Sequence, residues 1–112
     1  MESEKNKKIK KEKSRLLKIF KEIDDNKKTF IQSQIDDLAW LIVSIKELQD
    51  DIDTTGTTVT YDNGGGQSGI KDNPNIKTLV SFQKNANAIY KMLIDLVPNA
   101  PKKSKLDGFL NG

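Results

Sequence analysis

Apolar positions along this 112-residue chain fall into three blocks at helical spacing, separated by two polar interruptions. In the first block Ile9, Leu16, Phe20 and Ile23 recur at roughly one-helix-face intervals, among strong helix formers. The residues Asp24-Asp25-Asn26 break that pattern, and Asn26 or Thr29 is expected to cap the next helix. Over 30–52, Ile31, Ile35, Leu38, Ile42, Ile45 and Ile52 alternate spacings of three and four, interrupted only at Gln49. That seam predicts coiled-coil-like packing. A second stripe (Gln34, Leu41 and Leu48, with Trp40 beside it) widens the apolar surface, and a helix apolar on two sides needs more than one neighbour. In so short a chain, part of that cover is expected from another subunit. Ile31, Ile35, Leu38, Trp40, Leu41, Ile42, Ile45 and Leu48 are the expected oligomer interface.

The segment 53–73 is rich in Thr, Gly, Asn and Asp and breaks the helical pattern. Its Thr57–Tyr61 stretch holds β-branched and aromatic residues, which admits a short strand or hairpin. Asn73-Pro74 then restarts a helix, with Asn73 as cap and proline at the first helical position. This third helix should run from about Pro74 to Leu96, with Ile76, Leu79, Val80, Phe82, Ala86, Ile89, Tyr90, Leu93 and Leu96 inward; Val97-Pro98 ends it. The expected fold is all-α: a long antiparallel helical hairpin preceded by a basic helix, with a Gly/Thr-rich connector at 53–73 that has room for a β-hairpin. The chain divides into a basic arm (1–26), a helical core (27–98) and a polar tail (99–112).

Charge adds an asymmetry to this pattern. Residues 1–30 carry eleven Lys/Arg against six Asp/Glu, 31–60 one against six, and the remainder seven against four. A basic arm therefore precedes an acidic middle. Lys7, Lys8, Lys10, Lys11, Arg15 and Lys18 are the candidate DNA-binding residues. On a 3.6-residue period Lys7, Lys11, Arg15 and Lys18 share a stripe that could lie along phosphates, each contact releasing counterions. A solvated helix face or tail explains the same lysines equally well.

Candidate catalytic chemistry is sparse. Cysteine and histidine are absent, which removes thiol catalysis, histidine bases and nearly every zinc site. Gly64, Gly66 and Gly69 match G-x-G-x-x-G, but without the preceding strand of a βαβ unit; after them Ile70-Lys71-Asp72 lacks the hydroxyl a phosphate loop needs. Adjacent carboxylates at 36–37 and 50–51 point about 100° apart on a helix and do not converge on one metal ion. No catalytic residue, metal or cofactor is expected. The longest apolar run, 38–43, is too short to span a bilayer, and 1–15 lacks a signal-peptide core, so a soluble intracellular protein is expected, with no membrane partner.

The order of parts resembles the small terminase subunits of tailed phages, in particular the P27-like group, from about Ser14 to Pro98. A Lys-rich start leads into a long apolar helix and an acidic Leu48–Ile52; then come a glycine-bearing link, Asn73-Pro74 and an amphipathic helix that stops before proline. The most specific stretch is 64–96, with Asn73 where histidine is common. The resemblance implies a non-enzymatic packaging factor in the cytoplasm of an infected bacterium. It would form homo-oligomeric rings, bind double-stranded viral DNA and regulate the large terminase subunit that holds the ATPase and nuclease. Leu106, Phe109 and Leu110 on the tail are the expected docking residues for that large subunit. Many small terminases carry an N-terminal helix-turn-helix, for which 1–26 is too short; phosphate contact by repeated basic arms is the mode this chain allows. A coiled-coil adaptor with no DNA role, or a small monomeric enzyme regulator, fits the same pattern without the resemblance.

Overall fold

The computed structural model describes residues 2–97. Three helices and one hairpin follow in order: α1 (Glu4–Ile19), α2 (Asp25–Thr55), β1 (Thr58–Asp62), β2 (Ser68–Asp72) and α3 (Pro74–Asp95). The fold is thus mainly helical, but the 53–73 connector contains a two-stranded antiparallel sheet. The expected tail docking residues Leu106, Phe109 and Leu110 lie outside the described residues.

Both α1 and α3 run antiparallel to α2. Along α2 and α3, Asn75 donates to Asp51 at 2.7 Å, and Trp40 packs on Phe82 with centroids 5.5 Å apart. Along α1 and α2, Lys5 pairs with Glu47 at 2.9 Å and Lys13 with Asp36 at 2.7 Å. In each case rising numbers on one helix meet falling numbers on the other. With a rise of 1.5 Å per residue, α2 is about 46 Å long, whereas α1 is about 24 Å and covers only part of it. A three-helix core therefore forms where α1 reaches, and a two-helix stem continues beyond it.

The core sits at the closed end. Leu16, Phe20 and Ile23 from the first block meet Ile31, Ile35 and Leu38 of α2 and Ala86, Tyr90, Leu93 and Ile94 of α3. Phe20 meets Tyr90 edge-on, with centroids 5.7 Å apart. Each of these large side chains contributes about 1.5–3 kcal/mol by leaving water. That burial bears on part of the expected interface. Ile31, Ile35, Leu38 and Leu41 are buried inside a single chain, because α1 folds back as the third neighbour assigned to another subunit. Ile42, Ile45 and Leu48 stay partly covered, and Trp40 is 43% exposed.

The helix ends also differ from the pattern reading. Asp24, not Asn26 or Thr29, caps α2: its side chain accepts the Asn26 amide at 3.0 Å, so the helix starts five residues before Phe30. At the other end α2 continues through Asp53 to Thr55 and stops at Gly56, whose φ of 96° is costly for any residue with a Cβ. The Asn73 cap and Pro74 start of α3 are as expected. Val80, expected inward, is 53% exposed, while Ile94 and Val97, not among the expected inward residues, are buried. The cause is the change of neighbours along α3. Near Pro74 it faces α2 alone, and past Ala86 the addition of α1 widens its covered arc.

Candidate nucleic-acid interface

The expected basic arm is a docked helix. Ser3 caps α1 by accepting the Asn6 amide at 3.1 Å, and Glu4 in the first turn and Lys18 in the last suit the helix dipole. Leu16 anchors the inward side, flanked by the Lys5–Glu47 and Lys13–Asp36 bridges. Lys5 also lies 4.8 Å from the Trp40 ring centroid. At 100° per residue, Lys7, Lys11 and Lys18 fall within about 40° of one another on the side away from Leu16. Lys8 and Arg15 lie further round the same side, and Lys10 is set off from them. All but the half-buried Arg15 are exposed.

Not all six cations are uncommitted. Lys7 pairs with Glu4 at 3.4 Å, Lys10 with Glu2, and Arg15 with Glu12 at 2.8 Å. Lys8, Lys11 and Lys18 make no ion pair within the described residues. The remaining stripe, from Lys8 to Lys18, is about 15 Å long, the rise of four to five base pairs. The charge run in the sequence identified the six cations; which of them are neutralised depends on helix register, through acids three residues before Lys7 and Arg15.

Beside the stripe lies an open groove of about 930 Å³ between the three helices. Lys8, Lys11 and Arg15 form one wall, and Ile42, Ile45 and Ala86 supply an apolar floor. Periodicity alone does not reveal this groove, since it opens where α1 diverges from the α2–α3 stem. Near it, Tyr90 is fully buried, and loss of solvation pushes its phenol pKa up against the opposing charge of Arg15. On the stem, the Asn75 hydrogen bond holds the Asp51 carboxyl below its ordinary 3.8.

The glycine run has a different geometry from a phosphate cradle. It turns a hairpin whose strands pair Thr58 with Asp72 through Asp62 with Ser68. Gly64, Gly65 and Gly66 have φ of 80°, 59° and 82°, and the Gly64 amide donates to the Asp62 carboxylate at 2.8 Å. The following helix begins only at Pro74, with its first amides served by Asn73, so the glycines do not stand at a helix N-terminus. Among the described residues no cluster of His, Cys, Asp or Glu is placed to hold a metal ion, and no helix is long and apolar enough to cross a membrane.

These features define a small helical bundle with a basic outer helix and a β-hairpin at the end of its stem. Comparison with protein-family models, curated proteins and solved structures returned no match, so the likeness to small terminases rests on the order of parts in the sequence.

Proposed function

We propose that this chain is a non-catalytic duplex-DNA-binding protein, in its specific form a phage packaging factor of the small-terminase type. In this reading it self-associates, contacts viral DNA through α1 and serves a large terminase subunit in the host cytoplasm. The observation that carries DNA binding is the row Lys8, Lys11 and Lys18, without ion pairs among the described residues, on a helix whose opposite side is fixed to the bundle. Cations on an ordered helix meet phosphates with less loss of chain entropy than the same cations on a loose tail. No base-reading helix is required, since phosphate contacts position without specifying sequence.

Fluorescence anisotropy with a labelled duplex, titrated across salt concentrations, tests the reading. Three neutralised phosphates per chain give a slope of about −2.7 in log affinity against log salt, steeper where several chains engage one duplex. Lys8→Glu, Lys11→Glu and Lys18→Glu together should abolish binding; unchanged affinity and slope would refute it. A second reading, a helical adaptor with no DNA role, draws on the neutralisation of Lys7, Lys10 and Arg15 by Glu4, Glu2 and Glu12. It is the reading left if the wild-type chain shows no salt-dependent binding.

A further inference from the structure

The β-hairpin carries apolar surface that no other described residue covers. Ile70 is 71% exposed, more than any other large apolar side chain among the described residues. Pairing of Thr60 with Ile70, with alternation along each strand, sets Ile70 on one face with Thr60, and Asp62 and Asp72 fall on the same face toward opposite ends. On the other face Tyr61 lies across Gly69, where an added Cβ would meet its hydroxyl oxygen at 2.9 Å. A lone two-stranded hairpin is marginal in water, and its outer edges offer unpaired backbone groups. The base is nevertheless held firmly. The Asn73 side chain donates to the Gly56 carbonyl at 3.0 Å, and its amide donates to the Thr57 carbonyl at 2.9 Å.

The groove beside α1 has the complementary character. Its floor is apolar, through Ile42, Ile45 and Ala86; the acids that also line it, Glu12, Glu47 and Asp50, are paired with Arg15, Lys5 and Lys46, which leaves Lys8 and Lys11 on its wall without ion pairs among the described residues. The hairpin has the reverse arrangement, an apolar centre flanked by two carboxylates. It does not enter the groove of its own chain, as the exposure of Ile70 shows, because its base is clamped at the far end of α2. From Ile45 to Thr55 is about 15 Å along that helix.

We infer that the hairpin of one copy docks in the α1–α2–α3 groove of a second copy, with Ile70 on the Ile42–Ile45 floor and Asp62 and Asp72 facing Lys8 and Lys11. The contact is head-to-tail: each copy offers one hairpin and one groove, so repetition closes a ring or continues as a filament, according to the rotation per step. This rests on the self-association in the proposed function and names its surfaces. In the assembly Lys8 and Lys11 are committed to the hairpin of the next copy, so phosphate contact there falls to Lys18 and the Glu4-paired Lys7 on the solvent side, and the full row is open only on an undocked groove.

Light scattering and sedimentation of the full chain at tens of micromolar test it. Wild type should run as a multiple of 12.6 kDa. Ile70→Glu should weaken association at least about tenfold while leaving the circular dichroism of the helices unchanged, since it places a charge against an apolar floor. Asp72→Lys and Lys8→Glu should each weaken it, and the two together in one chain should restore it. If wild type assembles and Ile70→Glu assembles equally well, the hairpin contact is wrong and self-association stands. If that assembly is instead lost on deleting 98–112, the tail is the occupant and the inference fails. A wild-type chain of 12.6 kDa throughout would remove both.

Discussion

Asn73 joins the start of α3 to the end of α2 through one side chain. Its Oδ1 accepts the Asn75 amide at 3.0 Å, capping α3, and its Nδ2 donates to the Gly56 carbonyl at 3.0 Å, closing the end of α2. It is 3% exposed, so neither bond is readily replaced by water. Asn73→Ala should lower stability by about 1–2 kcal/mol in urea unfolding, through the lost cap and an unpaired carbonyl. Asn73→Asp keeps the cap acceptor and loses the donor, so its cost should be smaller. The cap was legible in the sequence from its place before Pro74; the bond to Gly56 was not, because it joins residues 17 apart. Ser44 presents the opposite case. Its hydroxyl is buried with no hydrogen-bond partner among the described residues, at a position where the pattern gave no warning. Ser44→Ala removes an unpaired polar group at little cost in volume and should raise stability by up to about 1 kcal/mol in the same measurement.

Among the elements, the glycine turn makes a separable prediction. A Cβ at Gly64, Gly65 or Gly66 would meet nothing within 4 Å, so space is not the obstacle; the positive φ at each is. Left-handed backbone costs an L-residue roughly 1–2 kcal/mol, so replacing all three by alanine exceeds what a five-residue strand pair can sustain. Amide exchange should then show β1 and β2 opening, with α2 and α3 still protected up to the Asn73 clamp. Loss of protection throughout α3 would show that the hairpin supports the stem instead. The three helices were legible because each has a period near 3.6 and a polar break. Their partners were less so. Periodicity shows that α2 is apolar on two sides, but not whether the second neighbour is α1 or another molecule, and Leu16, Phe20 and Ile23 decide it by filling that side. Register within α1 was hidden for a similar reason: the charge run gives composition, while pairing depends on which acid stands three residues before which base.

For the whole molecule, those acids set how strongly α1 can hold a polyanion. Glu2, Glu4 and Glu12 pair with Lys10, Lys7 and Arg15, and a phosphate arriving at any of these cations must displace a carboxylate already there. Surface pairs of this kind, the half-buried Arg15–Glu12 pair included, contribute little to stability, about 0–1 kcal/mol each, so removing the acids should not unfold the helix. Glu4 in the first turn also complements the helix dipole, and its loss adds at most about 1 kcal/mol. The effect on DNA should be larger than the effect on folding. Changing Glu2, Glu4 and Glu12 to glutamine frees three cations beside Lys8, Lys11 and Lys18, so the salt slope per chain should steepen from about −2.7 toward −5.4. Duplex affinity at low salt should rise in parallel, and circular dichroism should report unchanged helix content. A single-stranded competitor of equal length distinguishes this from general polyanion binding, because its slope per contact is shallower, about −0.7 against −0.9. If the glutamine variant keeps the wild-type slope while the helix remains folded, Lys7, Lys10 and Arg15 do not meet phosphates, and contact is confined to Lys8, Lys11 and Lys18. If the slope is flat in both proteins, the lysines of α1 only keep the bundle in solution, and the adaptor reading takes the place of DNA binding.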